Sequence, residues 1–235
     1  MSEKFDKILR QLKALRNETN LAGMARFGIA TDKAFGIKHP DLDRIARQYK
    51  RNHALALELW ASGYHEARLL ATSIDDPKQV TEAQADAWVK DINSWDICDG
   101  FTGSLIDKTP FAYTKAVQWA RRKEEFVRRA GFALMASLAV HDKKATDDAF
   151  DGFFPLIVKY STDERNFVRK AVNWALRQLG KRNKALNRKA IATARQIAKL
   201  DSKTARWIAK DALRELEGDA VQVRLRERAK KEKLK

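Results

Sequence analysis

Cysteine, proline and long apolar runs are all scarce in this chain of 235 residues, which has one cysteine and four prolines. The single Cys98 cannot form an intramolecular disulfide, so we expect a fold that does not depend on covalent cross-links. No apolar stretch approaches the roughly 18 to 20 residues that span a bilayer, and the start of the chain lacks a charged segment followed by an apolar one. We therefore expect a soluble, cytoplasmic protein without a membrane partner.

Sequence motifs typical of metal-binding or nucleotide-binding sites are also missing. The histidines His39, His53, His65 and His141 show no ligand spacing, and Cys98 has no second thiol beside it. No glycine-rich phosphate loop is present, which argues against an ATPase. The sequence thus predicts no metal and no cofactor. A lysine that forms a Schiff base stays open as an alternative, because nothing singles out one lysine.

Acidic residues are few compared with basic ones. Lysine and arginine total 47 against 31 acids, which gives a formal net charge of +16. Hydrophobic residues make up 44% of the chain and include six tryptophans, enough to fill a core, so the charge belongs to a folded body. Such a body attracts polyanions, and nucleic acid is the leading candidate partner. The plainer alternative is an intracellular protein that is basic without using its charge.

Alternating apolar and polar runs typical of strands are absent, whereas apolar residues recur at spacings of three and four almost throughout. The sequence therefore predicts an all-α protein. Start signals include the capping box Thr81 to Gln84, Thr109 before Pro110, and Pro40. The pattern predicts helices near residues 5–16, 18–28, 40–51, 53–62, 64–74, 81–92, 94–106, 110–122, 124–141, 146–160, 163–180, 184–199 and 202–217.

An internal repeat organises the second half of the chain. The segments FVRRA at 126–130 and FVRKA at 167–171 begin 41 residues apart, and IAKDA at 208–212 keeps the same order more loosely. A period near 40 residues built from two helices is typical of a HEAT-like or armadillo-like repeat. Chance is the alternative explanation in a chain rich in Lys, Arg and Ala. We expect a curved α-solenoid over residues 1–218, followed by a basic C-terminal segment, 219–235, that is a frayed helix or a tail.

Two helices carry unusual residues opposite their apolar stripes. At about 100° per residue, the stretch NSWDICDG at 93–100 separates two sets: Ile97, Phe101 and Leu105 against Trp95, Asp99 and Thr102. Asp96 lies in the first helical turn, where an acid complements the helix dipole. Taken singly, Trp95 is also explained as a buried inter-helix anchor, and Asp99 as a solvated or salt-bridged acid.

The later helix repeats this arrangement. Its apolar side consists of Val168, Ala171, Val172, Ala175 and Leu179, whereas Trp174 falls among Lys170, Arg177 and Lys181. A tryptophan among cations is typical of a surface that stacks on bases and holds phosphates. The repeat register equates Arg129 with Lys170, so Arg129 is predicted to project from the same edge of its own helix. An inter-repeat salt bridge is the alternative for Arg129.

These elements together resemble a known family. Trp95-x-x-x-Asp99, the Arg129 of FVRRA, the Trp174 that follows FVRKA, and the segment MARFG at 24–28 resemble, in order and spacing, the AlkD-like bacterial DNA alkylation repair glycosylases. These are HEAT-like-repeat proteins that remove alkylated purines. The likeness covers roughly residues 20 to 215.

The resemblance implies roles for individual residues. Asp99 would be the catalytic carboxylate, Trp95 and Trp174 the aromatic walls that hold the lesion nucleotide, and Arg129 the cation near the DNA backbone. Further DNA contacts are expected from Phe27, Phe167, Lys170, Arg177 and Lys181. Phe27 stands where the family often has tyrosine, so its hydroxyl is lost while stacking is kept.

The implied activity is that of a monofunctional alkylpurine DNA glycosylase. It would hydrolyse the N-glycosidic bond of cationic purines, such as 3-methyladenine and 7-methylguanine, in duplex DNA. The resemblance also implies a bacterial, cytoplasmic monomer associated with the nucleoid through DNA. The alternative is a non-catalytic HEAT-like-repeat protein that binds DNA or acts as a scaffold.

Overall fold

The structure is a computed structural model that describes residues 1–233. Within this range every regular element is a helix, as the sequence predicts. The α-helices are α1 Glu3–Ala14, α2 Glu18–Arg26, α3 His39–Ala46, α4 His53–Ala61, α5 His65–Ile74, α6 Glu82–Asp91, α7 Trp95–Gly100, α8 Ala112–Ala120, α9 Glu125–His141, α10 Phe153–Tyr160, α11 Asn166–Gly180, α12 Lys184–Ala198, α13 Lys203–Leu216 and α14 Asp219–Lys233. A π-helical turn, Phe101–Leu105, follows α7, and short 3₁₀ turns cover Ile106–Lys108 and Asp147–Phe150. In the described part of the chain, no helix combines the length and the apolar character needed to cross a membrane.

The chain forms two compact units, the first spanning Met1–Phe111 and the second beginning at Ala112. In the first unit α5 is central and packs against α3, α4, α7 and the π-helical turn. Three aromatic side chains fill the core: the ring of Trp60 stacks on Trp88 with centroids 4.2 Å apart, and Phe101 lies 5.9 Å from Trp60. These tryptophans are therefore structural.

A buried carboxylate fixes the loop before α3. Glu66, only 1% exposed, accepts hydrogen bonds from the backbone N–H groups of Phe35, Gly36 and Ile37 at 2.7 to 3.2 Å. Gly36 has a φ of 74°, and a Cβ there would collide with the carbonyl oxygen of Asn17. Glycine is thus required where the chain bends around the carboxylate.

The second unit stacks helix pairs in the predicted manner. Helix α9 packs against α8 and α11, and α11 packs against α12 and α13. The repeated segments 126–130 and 167–171 occupy the starts of α9 and α11, and their first residues touch, since the rings of Phe126 and Phe167 are 5.3 Å apart. The repeat found in the sequence therefore corresponds to successive helices that bury each other's apolar faces.

Helix α14 differs from the expected tail. Val221 and Leu225, one turn apart, are buried, and this narrow stripe holds the segment as a helix through Lys233. Two apolar positions in a strongly basic segment are a weak signal, which explains why the sequence favoured a tail. The last two residues of the predicted tail, Leu234 and Lys235, lie outside the described residues. The boundary at residue 218 stays a prediction.

Helix α9 leaves no room beside Gly131. A Cβ on this residue would lie 2.7 Å from the Cα of Ala120 and 2.9 Å from the carbonyl oxygen of Ala116, both on α8. We expect Gly131→Ala to lower the unfolding free energy by about 1 to 3 kcal/mol or more, because backbone has to move. Gly23→Ala is the matched control: a Cβ there meets nothing within 4 Å, so helix propensity should leave stability equal or raised. Urea unfolding of both variants checks this, and a harmless Gly131→Ala would contradict the packing.

Candidate functional site

The short helix α7 has one buried and one accessible face. Ile97 is 1% exposed and Cys98 is fully buried, while Trp95 and Asp99 are half-buried one turn apart. Residues four apart on a helix are neighbours on its surface. The predicted separation of Ile97 from Trp95 and Asp99 is therefore confirmed, and Trp95 is not a core anchor.

Thr102 does not share the face of Asp99, so that part of the prediction is wrong. Its side chain is fully buried, and its hydroxyl donates to the carbonyl oxygen of Cys98 at 2.9 Å. The extrapolation assumed an α-helix, but the chain continues as a π-helical turn from Phe101 to Leu105. The i→i+5 bonding of that turn changes the angular position of each later residue.

Asp96 forms a buried pair with a histidine that the sequence did not single out. Its Oδ2 lies 2.8 Å from Nε2 of His65, and its Oδ1 accepts from the hydroxyl of Ser94 at 2.7 Å. Burial acts to raise the pKa of Asp96, but the hydrogen bonds from His65, Ser94 and the backbone of Ile97 outweigh it, so the pKa lies below its usual 3.8. A carboxylate only accepts, so Nε2 of His65 carries a proton. The helix dipole explains the position of Asp96 but not this burial.

Phe27 and Trp95 meet although 68 residues separate them. The indole Nε1 of Trp95 donates to the carbonyl oxygen of Phe27 at 3.2 Å. Phe27 ends α2, its side chain is 71% exposed, and the following Gly28 has a φ of 72° that turns the chain away. We call Phe27, Trp95 and Asp99 the α7 patch. It combines accessible aromatic surface with one carboxylate.

The second unit carries a basic and aromatic row on α11, which we call the α11 patch: Lys170, Trp174, Arg177 and Lys181. Spacings of four, three and four place these side chains along one face. Lys170 is exposed and Trp174 is half-buried, so this tryptophan too lies outside the core. The expectation that the two patches line one concave face remains a prediction.

Two cations of the α11 patch are held by acids of α13. Arg177 contacts Glu215 through Nε and Asp211 through Nη1, the latter at 3.2 Å, and Nζ of Lys181 lies 2.8 Å from Glu215. The hydrogen bond with Glu215 raises the pKa of Arg177 further above its usual range. These ion pairs partly neutralise the charge that the sequence assigned to phosphate binding. The acids lie 34 to 38 residues away from these cations in the sequence, so only helix packing reveals the pairs.

Arg129 has a different environment from Lys170. It is 5% exposed, and its Nη1 donates to the carbonyl oxygen of Phe167 at 3.0 Å, whereas Lys170 is exposed. The two equivalent repeat positions therefore differ in burial. Phe167 is half-buried against the ring of Phe126. Arg129 bridges successive repeats through a backbone carbonyl, and its role toward DNA stays a prediction.

One exposed aromatic residue was missed by the sequence interpretation. Trp207 on α13 is 40% exposed, and the guanidinium of Arg169 lies 5.3 Å from its ring centroid, within cation–π range. The repeat register contained the signal, because Trp207 stands 41 residues after Asn166, a position where an aromatic residue would extend the surface. The second unit thus has a further aromatic and basic contact surface.

Comparisons with known proteins identify the family. A sequence profile described as DNA alkylation repair enzyme matches residues 8–216. The chain belongs to the DNA alkylation repair enzyme family. An uncharacterised protein of Listeria innocua is 24% identical over 200 residues, which cover 83% of this chain and 87% of that protein. In the described part of this family member, no group of three or more His, Cys, Asp or Glu side chains is placed to hold a metal.

A solved structure supports the fold of this DNA alkylation repair family member. It is described as representing a new family of proteins related to the HEAT-like repeat DNA glycosylases with affinity for branched DNA structures. It matches with a TM-score of 0.74 at 23% sequence identity and covers 90% of this chain and 95% of its own. The predicted HEAT-like repeat fold is confirmed.

The buried Asp96–His65 pair yields a test of stability. We expect Asp96→Asn to lower the unfolding free energy by about 1 to 3 kcal/mol, because a charged hydrogen bond inside the protein is lost. The folded pKa is depressed, so ionised Asp96 stabilises the fold above its ordinary 3.8, and this contribution disappears as the pH falls through the folded pKa. The stability difference between parent and variant should therefore shrink below about pH 4. Urea titrations at pH 7 and pH 3 measure it, and a constant difference would contradict a stabilising role for the ionised carboxylate of Asp96.

The α11 patch predicts unequal contributions to DNA binding. Lys170→Gln should flatten the slope of log affinity against log salt by about 0.9, the value for one phosphate contact. Arg177→Gln should change the slope less, because Glu215 and Asp211 already accept from its guanidinium. Fluorescence anisotropy with an undamaged duplex between 50 and 200 mM salt measures both. A larger effect of Arg177→Gln would mean that its ion pairs open when DNA binds.

Proposed function

We propose that this member of the DNA alkylation repair enzyme family is a DNA glycosylase for cationic alkylated purines, including 3-methyladenine and 7-methylguanine, in duplex DNA. Membership of the family and the HEAT-like repeat fold support a role in DNA repair. The observation that carries the glycosylase proposal is the different burial of the two carboxylates on α7. Asp96 is buried in a pair with His65, whereas Asp99 is half-buried on the accessible face of α7, one turn from Trp95.

The chemistry requires little from the protein. Alkylation at N3 of adenine or N7 of guanine makes the base a cation, so it leaves as a neutral molecule with the electrons of the broken C1′–N bond. The sugar then develops oxocarbenium character and water adds to C1′. A carboxylate near the sugar stabilises that positive charge and accepts the proton that water loses. Asp99 is the carboxylate of the α7 patch suited to this role.

The expected magnitudes are sufficient for catalysis. A carboxylate at ~4 Å from the developing cation, at an effective dielectric of ~20, contributes about 4 kcal/mol, or roughly a thousandfold in rate. An indole face such as that of Trp95 adds ~0.5 to 2 kcal/mol by cation–π attraction. Both terms act on charge that exists only in the transition state, so they raise the rate rather than substrate affinity.

The second unit supplies surface for the DNA itself. Exposed Lys170 suits a phosphate contact, and the half-buried Trp174 and the exposed Trp207 suit stacking on sugar or base. Within the α11 patch, the cations tied to Glu215 keep part of their donor capacity, since Arg and Lys each have several N–H groups.

A second candidate function has support from one comparison. The solved structure that shares the fold is described by its affinity for branched DNA structures. By that analogy this chain would bind DNA junctions without excising a base. The basic surface suits either function, whereas release of a free base distinguishes them.

Removal of one charge tests the proposal. We expect Asp99→Asn to slow the release of 7-methylguanine by on the order of a hundredfold or more, because the differential electrostatic stabilisation is lost. Affinity for the same duplex should be equal or slightly higher, since a carboxylate repels phosphates in the ground state. Single-turnover release of free base, DNA affinity and melting temperature are measured together. Asp43→Asn, at an exposed acid on α3, is the control for loss of one negative charge.

Each contrary outcome has a separate meaning. A parent protein that binds junctions but releases no base would contradict the glycosylase proposal and favour the second candidate. A variant as fast as the parent would show that Asp99 is not the catalytic carboxylate. Slow release together with a strongly lowered melting temperature would assign Asp99 a structural role.

A further inference from the structure

A pocket at the C-terminal end of α9 collects three cations from three separate segments. Its volume is about 310 Å³, and it is lined by Lys143, Ala145, Asp147, Arg182, Asn183 and Arg228. Lys143 follows α9, Arg182 lies between α11 and α12, and Arg228 comes from α14. All of these residues belong to the second unit, and none belongs to the α11 patch.

Arg182 is held rigidly at the wall of this pocket. Its Nη1 donates to the carbonyl oxygen of Ala139 at 3.1 Å and its Nη2 to that of Ala145 at 2.7 Å. Its guanidinium also lies 4.7 Å from the ring centroid of Phe150. A guanidinium fixed in this way loses little conformational entropy when an anion binds.

The other two cations, Lys143 and Arg228, are each held by a hydrogen bond and keep further N–H donors. Arg228 donates through Nη1 to the carbonyl oxygen of Arg182, and Nζ of Lys143 donates to that of Val140. A guanidinium has five N–H donors and an ammonium has three, so donors remain on both groups. The contacts position α14 over the pocket and leave cationic groups at its mouth.

Capping of α9 explains part of this arrangement but leaves a charge imbalance. Carbonyl groups at a helix C-terminus attract cations, yet they carry no formal charge. Among the pocket-lining side chains that the structure describes, Asp147 is the one acid, and its Oδ1 accepts from the side chain of Asn183 at 2.7 Å. Burial and then the charges of Arg228 and Arg182 lower the pKa of Lys143, so the environment of this lysine is positive despite the carbonyls.

We propose that this pocket binds a phosphodiester group of the DNA backbone, with Lys143, Arg182 and Arg228 as its cationic ligands. An anion at this position would relieve the repulsion among three convergent cations and accept from their remaining donors. The family match ends at residue 216, so the contribution of α14 lies beyond the matched region. The proposal rests on DNA binding alone and is independent of base excision.

The test compares a double variant that loses two cations of the pocket with a control double variant that loses two cations elsewhere. In Lys143→Gln/Arg228→Gln, the slope of log affinity against log salt for an undamaged duplex should flatten by about 0.9, which corresponds to one phosphate. Arg188→Gln/Lys199→Gln removes the same charge from exposed positions on and beside α12 and should leave the slope unchanged. Equal slopes in the pocket variant and the parent, or equal losses in both double variants, would overturn the proposal.

Two further measurements separate the source of the phosphate and the role of Arg228. Inorganic phosphate should raise the melting temperature of the parent above that in chloride at equal ionic strength, and this rise should vanish in the pocket variant. A lost phosphate response with an unchanged DNA slope would assign the site to a free anion and overturn the DNA-backbone assignment. Arg228→Lys keeps the charge and should keep the slope, whereas a slope lost equally in this variant would point to a merely structural contact. None of these outcomes depends on the glycosylase proposal, because the duplex carries no lesion.

Discussion

The hydrogen bond between Asp96 and His65 anchors the buried side of α7 inside the first unit. It ties the first turn of a six-residue helix to α5, the central helix of the first unit. So short a helix has little stability of its own and takes its orientation from tertiary contacts. With Asp96 directed inward, Trp95 and Asp99 are left on the accessible side, next to Phe27. The catalytic proposal therefore depends on a buried hydrogen bond that takes no part in the chemistry.

Close backbone contact plays the same role in the second unit. Gly131 allows α9 to lie against α8, and the other side of α9 is covered by α11. Enclosure on two sides buries Arg129 and directs it to the carbonyl of Phe167. On α11, by contrast, Lys170 is exposed and Trp174 is half-buried. Equivalent residues of a repeat thus acquire different environments from their position in the stack.

The large positive charge is divided among distinct environments. Arg177 and Lys181 are paired with acids of α13, Arg169 lies over Trp207, and Lys143, Arg182 and Arg228 line a pocket together with Asp147. A net charge describes attraction to DNA at a distance but not the sites of contact. Ion pairs within the protein decide which cations are available at close range.

Much of the fold was predictable because local signals agreed with one another. Helical periodicity and caps such as Thr81 gave the helices, and the 41-residue repeat gave their pairing in the second unit. The accessible face of α7 was also correct, since one turn of α-helix suffices to separate Ile97 from Asp99. The error at Thr102 arose where the α-helix changes to a π-helical turn. The regular helix α14 was not predicted, because two buried apolar residues give only a weak periodic signal.

The sequence by itself determined the helical class, the repeat, the basic character and the placement of Trp95, Asp99 and Trp174 outside the core. These properties follow from periodicity and composition, which act between residues close in the chain. The tertiary structure alone decided the partner of Asp96, the neutralisation of Arg177, the burial of Arg129 and the convergence of Lys143, Arg182 and Arg228. Each of these joins residues tens of positions apart, and hydrogen bonds and ion pairs depend on distances in space that no local pattern encodes.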